Sequence, residues 1–179
     1  GIGVQILSFS FVIGFGFSIA GATLVGQHLG AQNKDQAKRA GWGAMRLSII
    51  SMTFFGIIIV TFAEPLARFM IDNDEVVRLT VIFIWLLGSM QPLMAIEFSL
   101  GGALRGGGDT KTPLVITLTC LLFIRVFLAA VFFLLDASIE IIFSTLLADY
   151  IVKGFLYVSR FKSDRWMNVL KIKEVDQQL

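Results

Sequence analysis

Four ionisable residues, Glu97, Arg125, Asp149 and Lys153, interrupt otherwise apolar runs of this sequence. At the centre of a membrane helix each would cost about 2.5 to 3.5 kcal/mol on insertion scales, so each should face protein or water and meet an opposite charge. Intramembrane carboxylates also carry protons or bind cations along ion pathways. The four residues therefore predict either an ion-coupling network or a set of structural ion pairs.

Depth along the helices predicts which charges meet. At 1.5 Å per residue from the cytoplasmic end of each run, Glu97 and Lys153 lie about 12 and about 10 Å deep. Arg125 and Asp149 lie about 18 and about 16 Å deep on the same count. Asp149 and Lys153 are also four residues apart on one helical face. We therefore predict the pairs Glu97–Lys153 and Arg125–Asp149, which together form one neutral network.

Uncharged polar residues add weaker candidates for a cavity lining. Gln5 lies in the first apolar run, and Gln91 precedes Pro92 in the third. A proline inside a helix removes one backbone hydrogen bond, so Pro92 is predicted to kink its helix and to free a carbonyl for water or a ligand. His28, the single histidine, is predicted to be solvated rather than to bind a metal.

Composition indicates the protein class. The chain has 179 residues, 56% of them apolar, a mean hydropathy of +0.80 and a net charge of only +2. Its basic residues form no patch alternating with stacking aromatic residues, which argues against nucleic-acid binding. Cys120 is the single cysteine, so an intramolecular disulfide and a cysteine-based zinc cluster are excluded. We expect no enzyme activity and no bound cofactor or metal, because no nucleophile–base pair or metal-ligand cluster is recognisable.

The elements that must position these residues are long apolar helices, because a bilayer core about 30 Å thick needs roughly 20 residues of helix. The sequence predicts an all-α polytopic membrane protein with five transmembrane helices in residues 1–160 and a tail over 161–179. The second helix can be extended by 37–46. The predicted spans are Ile2–Leu29, Leu47–Ala63, Leu79–Leu104, Pro113–Leu135 and Ile139–Ser159.

Orientation follows from Lys and Arg, which are retained in short cytoplasmic loops. Most of them lie in the connection 30–46, in the loop 105–112 and in the tail from Arg160, on alternate sides of successive spans. We therefore expect these segments, and the C-terminus, in the cytoplasm, most simply at the cell membrane. An odd number of spans places Gly1 outside, so we expect further sequence before it.

Glycines mark two further motifs. Gly26 and Gly30 at the end of the first span predict close helix packing through small residues. Arg105 is followed by Gly106, Gly107 and Gly108, and Pro113 opens the next helix, as in a tight hairpin that stops one helix and starts another. The alternative is an anion-binding loop formed by Arg105, Lys111 and exposed amides.

Together these segments resemble the C-terminal half of the MATE multidrug and toxin extrusion transporters. The similarity rests on the order and spacing of four motifs and covers essentially the whole chain. They are ATLVGQHLGAQ (22–32), FMIDNDEV (69–76), ALRGGGDTKTP (103–113) and DYIVKG (149–154).

The resemblance implies helices 8 to 12 of a twelve-helix, two-lobe transporter. It implies a secondary active antiporter that exports amphipathic, often cationic organic compounds in exchange for Na+ or H+. Its partners would be a small organic substrate, the lipid bilayer and an N-terminal lobe, without which this chain would be inactive. The third span corresponds to a helix that carries an acidic coupling residue in some members, which makes Glu97 a candidate.

Two other functions stay open. A flippase for lipid-linked saccharides shares the general architecture but would favour a more cationic cavity, whereas the four intramembrane charges here sum to zero. A non-transporting membrane scaffold is the second alternative.

Overall fold

The computed structural model describes residues 2–70, 73–134 and 139–168, and within them the chain is helical with no strand. The long helices are α1 (Ile2–Gly30), α2 (Lys34–Thr61), α4 (Asp74–Gly106) and α7 (Ile139–Lys162). Three shorter α-helices, a π-helical stretch and a 3-10 turn complete the order. They are α3 (Ala63–Met70), α5 (Lys111–Cys120), the π-helical stretch Leu121–Phe127, α6 (Leu128–Leu134) and the turn Arg165–Asn168.

Side-chain caps begin α2 and α4. The Asn33 side chain accepts a hydrogen bond from the amide of Gln36, and Asn73 does the same for Glu75 and Val76. Both caps satisfy amides that an α-helix leaves without an intrahelical partner. The short turn before α2 contains Gln32 in the left-handed region (φ 58°), which reverses the chain between α1 and α2.

Helix α4 is the centre of the bundle and packs against α1, α2 and α7. Its contact with α1 is backbone to backbone: a Cβ added to Gly102 would collide with the Ser18 carbonyl, and one added to Gly106 would collide with Ala22. A Cβ on Gly26 would lie 3.3 Å from the Gly106 carbonyl oxygen, whereas one on Gly30 would meet nothing within 4 Å. Gly26 therefore takes part in the predicted helix contact and Gly30 does not.

Four helices in the described residues are long and apolar enough to cross a membrane: Ser8–Gly30, Lys34–Thr61, Asp74–Gly106 and Lys111–Phe132. This confirms a polytopic all-α membrane protein. Helix α7 is not one of the four, although its 24 residues pack along α4. A fifth membrane span stays a prediction.

The chain folds back beneath the bundle after α7. Trp166 is fully buried, stacks on Phe161 with ring centroids 4.7 Å apart, and donates its indole N–H to the Phe161 carbonyl. Lys38 of α2 forms a 2.7 Å ion pair with Asp164. The first residues of the predicted tail are therefore part of the folded bundle, and residues 169–179 lie outside the described residues.

Candidate functional site

Glu97 of α4 meets Asp149 and Lys153 of α7, and these three residues are called the charge cluster below. The Lys153 ammonium Nζ lies 2.9 Å from Asp149 Oδ2 and 3.7 Å from Glu97 Oε1. It also lies 5.1 Å from the centroid of the Tyr150 ring, within cation–π range. The Glu97–Lys153 pair and the Asp149–Lys153 contact along α7 therefore form as the sequence predicts.

The members of the charge cluster differ in burial, and the two carboxylates differ in their distance from Lys153. The Asp149 side chain is fully buried, that of Lys153 is 5% exposed, and that of Glu97 is 18% exposed. Lys153 therefore lies close to a fully buried carboxylate and farther from a partly exposed one.

Hydrogen bonding in the cluster is incomplete. Among the described residues, neither oxygen of the Asp149 carboxylate accepts a hydrogen bond, because the short approach of Nζ to Oδ2 does not have hydrogen-bond angles. A buried acceptor left unsatisfied costs roughly 1 to 3 kcal/mol, and more when it is charged. Two carboxylates also share one ammonium, so the ionised cluster has an unbalanced negative charge. This arrangement can take up a proton or a small cation.

Arg125 does not join the cluster, and the predicted Arg125–Asp149 pair is wrong. Its side chain is exposed and forms no ion pair within 4 Å in the parts of the chain that the structure describes. Arg125 lies in the π-helical stretch, where each turn holds one more residue than in an α-helix. The π-helical stretch changes which residues face α7. Arg125 therefore does not face Asp149, although the two residues lie at similar depths when counted along an α-helix.

Gln91 ties α4 to α1. Its amide nitrogen Nε2 donates to Ser10 Oγ at 2.7 Å, and the whole side chain is buried. Its oxygen Oε1 accepts no hydrogen bond from the described residues. Gln5 lies within α1, but its side chain lies outside the described residues, so its predicted place in a cavity stays a prediction.

A cavity of about 290 Å³ opens between α2 and α4 beside Pro92. Pro92 has no N–H to offer the Gly88 carbonyl, and that oxygen instead abuts α2, where a Cβ added to Gly56 would lie 2.7 Å away. The carbonyl that Pro92 frees therefore lies at the contact between α4 and α2, and its binding of water or a ligand stays a prediction. The cavity is lined by Thr53, Gly56, Ile57, Val60, Thr61, Gly88, Ser89 and Pro92.

Asp109 links the loop after α4 to the end of α7. Asp109, Thr112 and Arg160 are called the loop clamp below. The Asp109 carboxylate accepts hydrogen bonds from Arg160 Nε (2.9 Å) and Nη2 (2.6 Å). It also accepts from the backbone amide (3.1 Å) and the hydroxyl (2.9 Å) of Thr112. Burial raises the pKa of Asp109, but the hydrogen bonds from Arg160 and Thr112 outweigh it, so the pKa lies below its usual range.

The glycines of this loop make room for the turn. Gly108 adopts a positive φ of 86°, and a Cβ on Gly107 would collide with the Trp166 ring. The amides of Gly107, Gly108 and Asp109 donate to carbonyls at the end of α4. Arg105 donates to Ser18 Oγ at 2.8 Å. The three loop amides are already bonded, so the geometry supports the hairpin, and anion binding by Arg105 and Lys111 stays a prediction.

Sequence reasoning missed the loop clamp and the contacts of Trp166. The one readable signal was Asp109 three residues before Thr112, a spacing at which an Asp side chain caps a following amide. Arg160 is 51 residues away along the chain, and no local pattern indicates that contact. Among the described residues there is no group of three His, Cys, Asp or Glu side chains that could hold a metal ion.

Comparison with known proteins gives a consistent assignment. The MatE family model matches residues 1–131. The "Probable multidrug resistance protein NorM" of Thermotoga maritima is 34% identical over 174 residues, which is 92% of this chain and 36% of that protein. The protein of the same name from Mesorhizobium japonicum is 32% identical over 119 residues, 64% of this chain and 26% of its own length.

A further relative, the "Multidrug resistance protein NorM" of Aliivibrio fischeri, is 29% identical over 108 residues. The chain spans 36%, 26% and 24% of these three relatives. With the family model matching most of its length and a helical membrane fold of the expected kind, the chain belongs to the MatE family.

Proposed function

We propose that this chain is part of a secondary active multidrug exporter in which the charge cluster couples transport to an ion. The names of the relatives support efflux of multiple drugs as the activity of the whole protein. Because those relatives are longer, the proposal assigns the rest of the transport path, including an N-terminal lobe, to sequence outside this chain. This chain would then supply helices equivalent to 8 to 12 and be inactive by itself.

The observation that carries the proposal is the two-to-one ratio of carboxylates to ammonium in the charge cluster. Asp149 acts as the close, permanent counter-ion of Lys153. Glu97 lies farther from Lys153 and is accessible, so its charge is the one that a proton or Na+ can neutralise. A cation bound at Glu97 weakens the attraction between α4 and α7, which gives ion binding a direct effect on helix packing.

The same charge balance favours cationic organic substrates. A second candidate, the flippase for lipid-linked saccharides, must hold phosphate groups, and a buried cluster with excess negative charge repels them. Substrate efflux therefore fits the cluster better. We further propose that the protein lies in the cell membrane with the C-terminus of this chain in the cytoplasm.

The test is export of ethidium by cells that produce the full-length protein containing this chain. We expect Glu97→Gln to lower export at least tenfold at unchanged protein level, because the variant can no longer exchange its charge. Glu64→Gln is the matched control, since Glu64 is an exposed acid that pairs with Arg68, and Arg68 has a second partner in Asp74. Full ethidium export by the Glu97 variant would refute the coupling role.

A further inference from the structure

The cationic end of α2 contains an open notch on an exposed face. Arg39, Gly43 and Arg46 lie at i, i+4 and i+7, so they share one side of the helix, and all three are exposed. A Cβ added to Gly43 would meet no atom within 4 Å. None of the described residues therefore fills the space beside Gly43, and the three residues are called the arginine notch.

The positive charges of Arg39 and Arg46 are not paired with an acid in the described residues. In residues 2–70, 73–134 and 139–168, no hydrogen bond or ion pair is formed by Arg39 or Arg46. Two neighbouring cations are already neutralised, since Lys38 pairs with Asp164 and Arg160 with Asp109. Asp35, four residues before Arg39 on a similar face, forms no ion pair within 4 Å in the same described residues.

The same face of α2 continues as an apolar stripe. Leu47, Ile50, Phe54 and Ile57 are all exposed large hydrophobic residues, and α2 is one of the helices able to cross a membrane. At 28 residues α2 is about 42 Å long, which exceeds the hydrocarbon core of about 30 Å. With the stripe against acyl chains, Arg46 lies at the edge of the hydrocarbon and Arg39 about 10 Å farther out, among headgroups.

Charge complementarity identifies the occupant. A guanidinium binds phosphate through paired hydrogen bonds, and cations at the membrane surface are attracted to anionic lipids. We propose that the arginine notch binds the phosphate headgroup of one anionic phospholipid, whose acyl chains lie on Leu47 and Ile50. This inference requires that α2 spans a bilayer with the face that carries Arg39, Gly43 and Arg46 toward lipid, and it does not depend on the proposed export activity.

The experiment is native mass spectrometry of the purified full-length protein containing this chain, titrated with phosphatidylglycerol and, separately, with phosphatidylcholine. We expect the wild-type chain to prefer phosphatidylglycerol. Arg39→Gln and Arg46→Gln should each reduce phosphatidylglycerol binding about fivefold, and phosphatidylcholine binding should be unchanged. Lys162→Gln is the matched control, because Lys162 is an exposed cation at the end of α7, outside the arginine notch, and its loss should have little effect.

Gly43→Leu tests the notch itself without changing any charge. Leucine favours the helix over glycine, and its side chain fills the space between the arginines, so preference for phosphatidylglycerol should fall by a similar factor. Equal binding of the two lipids by the wild-type chain would overturn the proposal. So would full preference retained by Gly43→Leu and by the double arginine variant. Displacement of phosphatidylglycerol by millimolar inorganic phosphate would show a soluble-anion site instead, which also overturns it.

Discussion

The two acid-containing sites of this chain, the charge cluster and the loop clamp, are built from similar groups in opposite ways. Asp109 in the loop clamp accepts four hydrogen bonds and has one arginine to itself. Asp149 in the charge cluster is equally buried, yet its oxygens accept none from the described residues and it shares Lys153 with Glu97. A carboxylate whose two oxygens both accept hydrogen bonds is suited to holding two elements together. Two carboxylates that share one ammonium are suited to binding a further proton or cation, and the proposed coupling role assigns that binding to Glu97.

The largest expected effect comes from removing the shared cation. Lys153→Gln leaves the buried Asp149 carboxylate and the partly exposed Glu97 carboxylate without their ammonium, and breaking a buried ion pair in this way costs about 3 to 5 kcal/mol. We expect a severe loss of folded protein, measured by thermal unfolding in detergent.

Adding Asp149→Asn to Lys153→Gln should restore much of the stability, because the fully buried negative charge is removed too. Adding Arg125→Gln instead should restore none, because Arg125 lies outside the cluster. Rescue by the Arg125 change would contradict the structure of the cluster.

A smaller effect is expected in the loop clamp. Asp109→Asn removes the charge that Arg160 and Thr112 stabilise, and hydrogen bonds to charged groups contribute about 1.5 to 3 kcal/mol. We expect a loss of stability in this range at pH 7, measured by chemical unfolding in detergent. Asp74→Asn is the matched control, since Asp74 is an exposed acid bound to Arg68.

The same variant should depend on pH in a defined direction. The pKa of Asp109 is lower in the folded chain than in the unfolded chain, so its contribution is fully present above the ordinary carboxyl pKa of about 3.9. The contribution is lost as pH falls through the folded value. The stability difference between wild type and Asp109→Asn should therefore be constant above about pH 5 and shrink below about pH 4. A constant difference down to pH 2 would show that the ionised carboxylate is not what stabilises the loop.

The smallest effect on stability should come from Glu97→Gln. Glu97 is the accessible member of the charge cluster and lies 3.7 Å from Lys153, while Asp149 still neutralises the ammonium. We expect a change within about 1 kcal/mol in either direction, measured by the same unfolding assay. A loss as large as that of Asp109→Asn would place Glu97 with the structural acids and remove the contrast between the two sites.

Much of this architecture was readable from the sequence because a bilayer imposes strong rules. Uninterrupted apolar runs predicted the helices, and the spacing of four residues predicted the Asp149–Lys153 contact. Depth along the predicted helices predicted the Glu97–Lys153 ion pair. Depth predicted the wrong partner for Arg125, because the π-helical stretch changes the direction of its side chain. No pattern in the sequence indicates a π-helical stretch there.

Contacts between distant parts of the chain were also unreadable. The Asp109–Arg160 bond joins a loop to the end of α7, and Trp166 packs against Gly107 through the chain reversal after α7. Both depend on how the helix ends are arranged in space. Glycines show the same limit: Gly26 and Gly30 look alike in sequence, but only Gly26 faces α4 closely.

The distribution of charge between α4 and α7 has a consequence for biosynthesis. Helix α4 is apolar enough to enter a bilayer unaided, whereas α7 brings Asp149 and Lys153 into its apolar run and leaves the ribosome later. The Lys153 ammonium of α7 pairs with Glu97 of α4, and α4 precedes α7 in the chain. If α7 crosses the bilayer, we therefore expect it to insert after α4 and in contact with it.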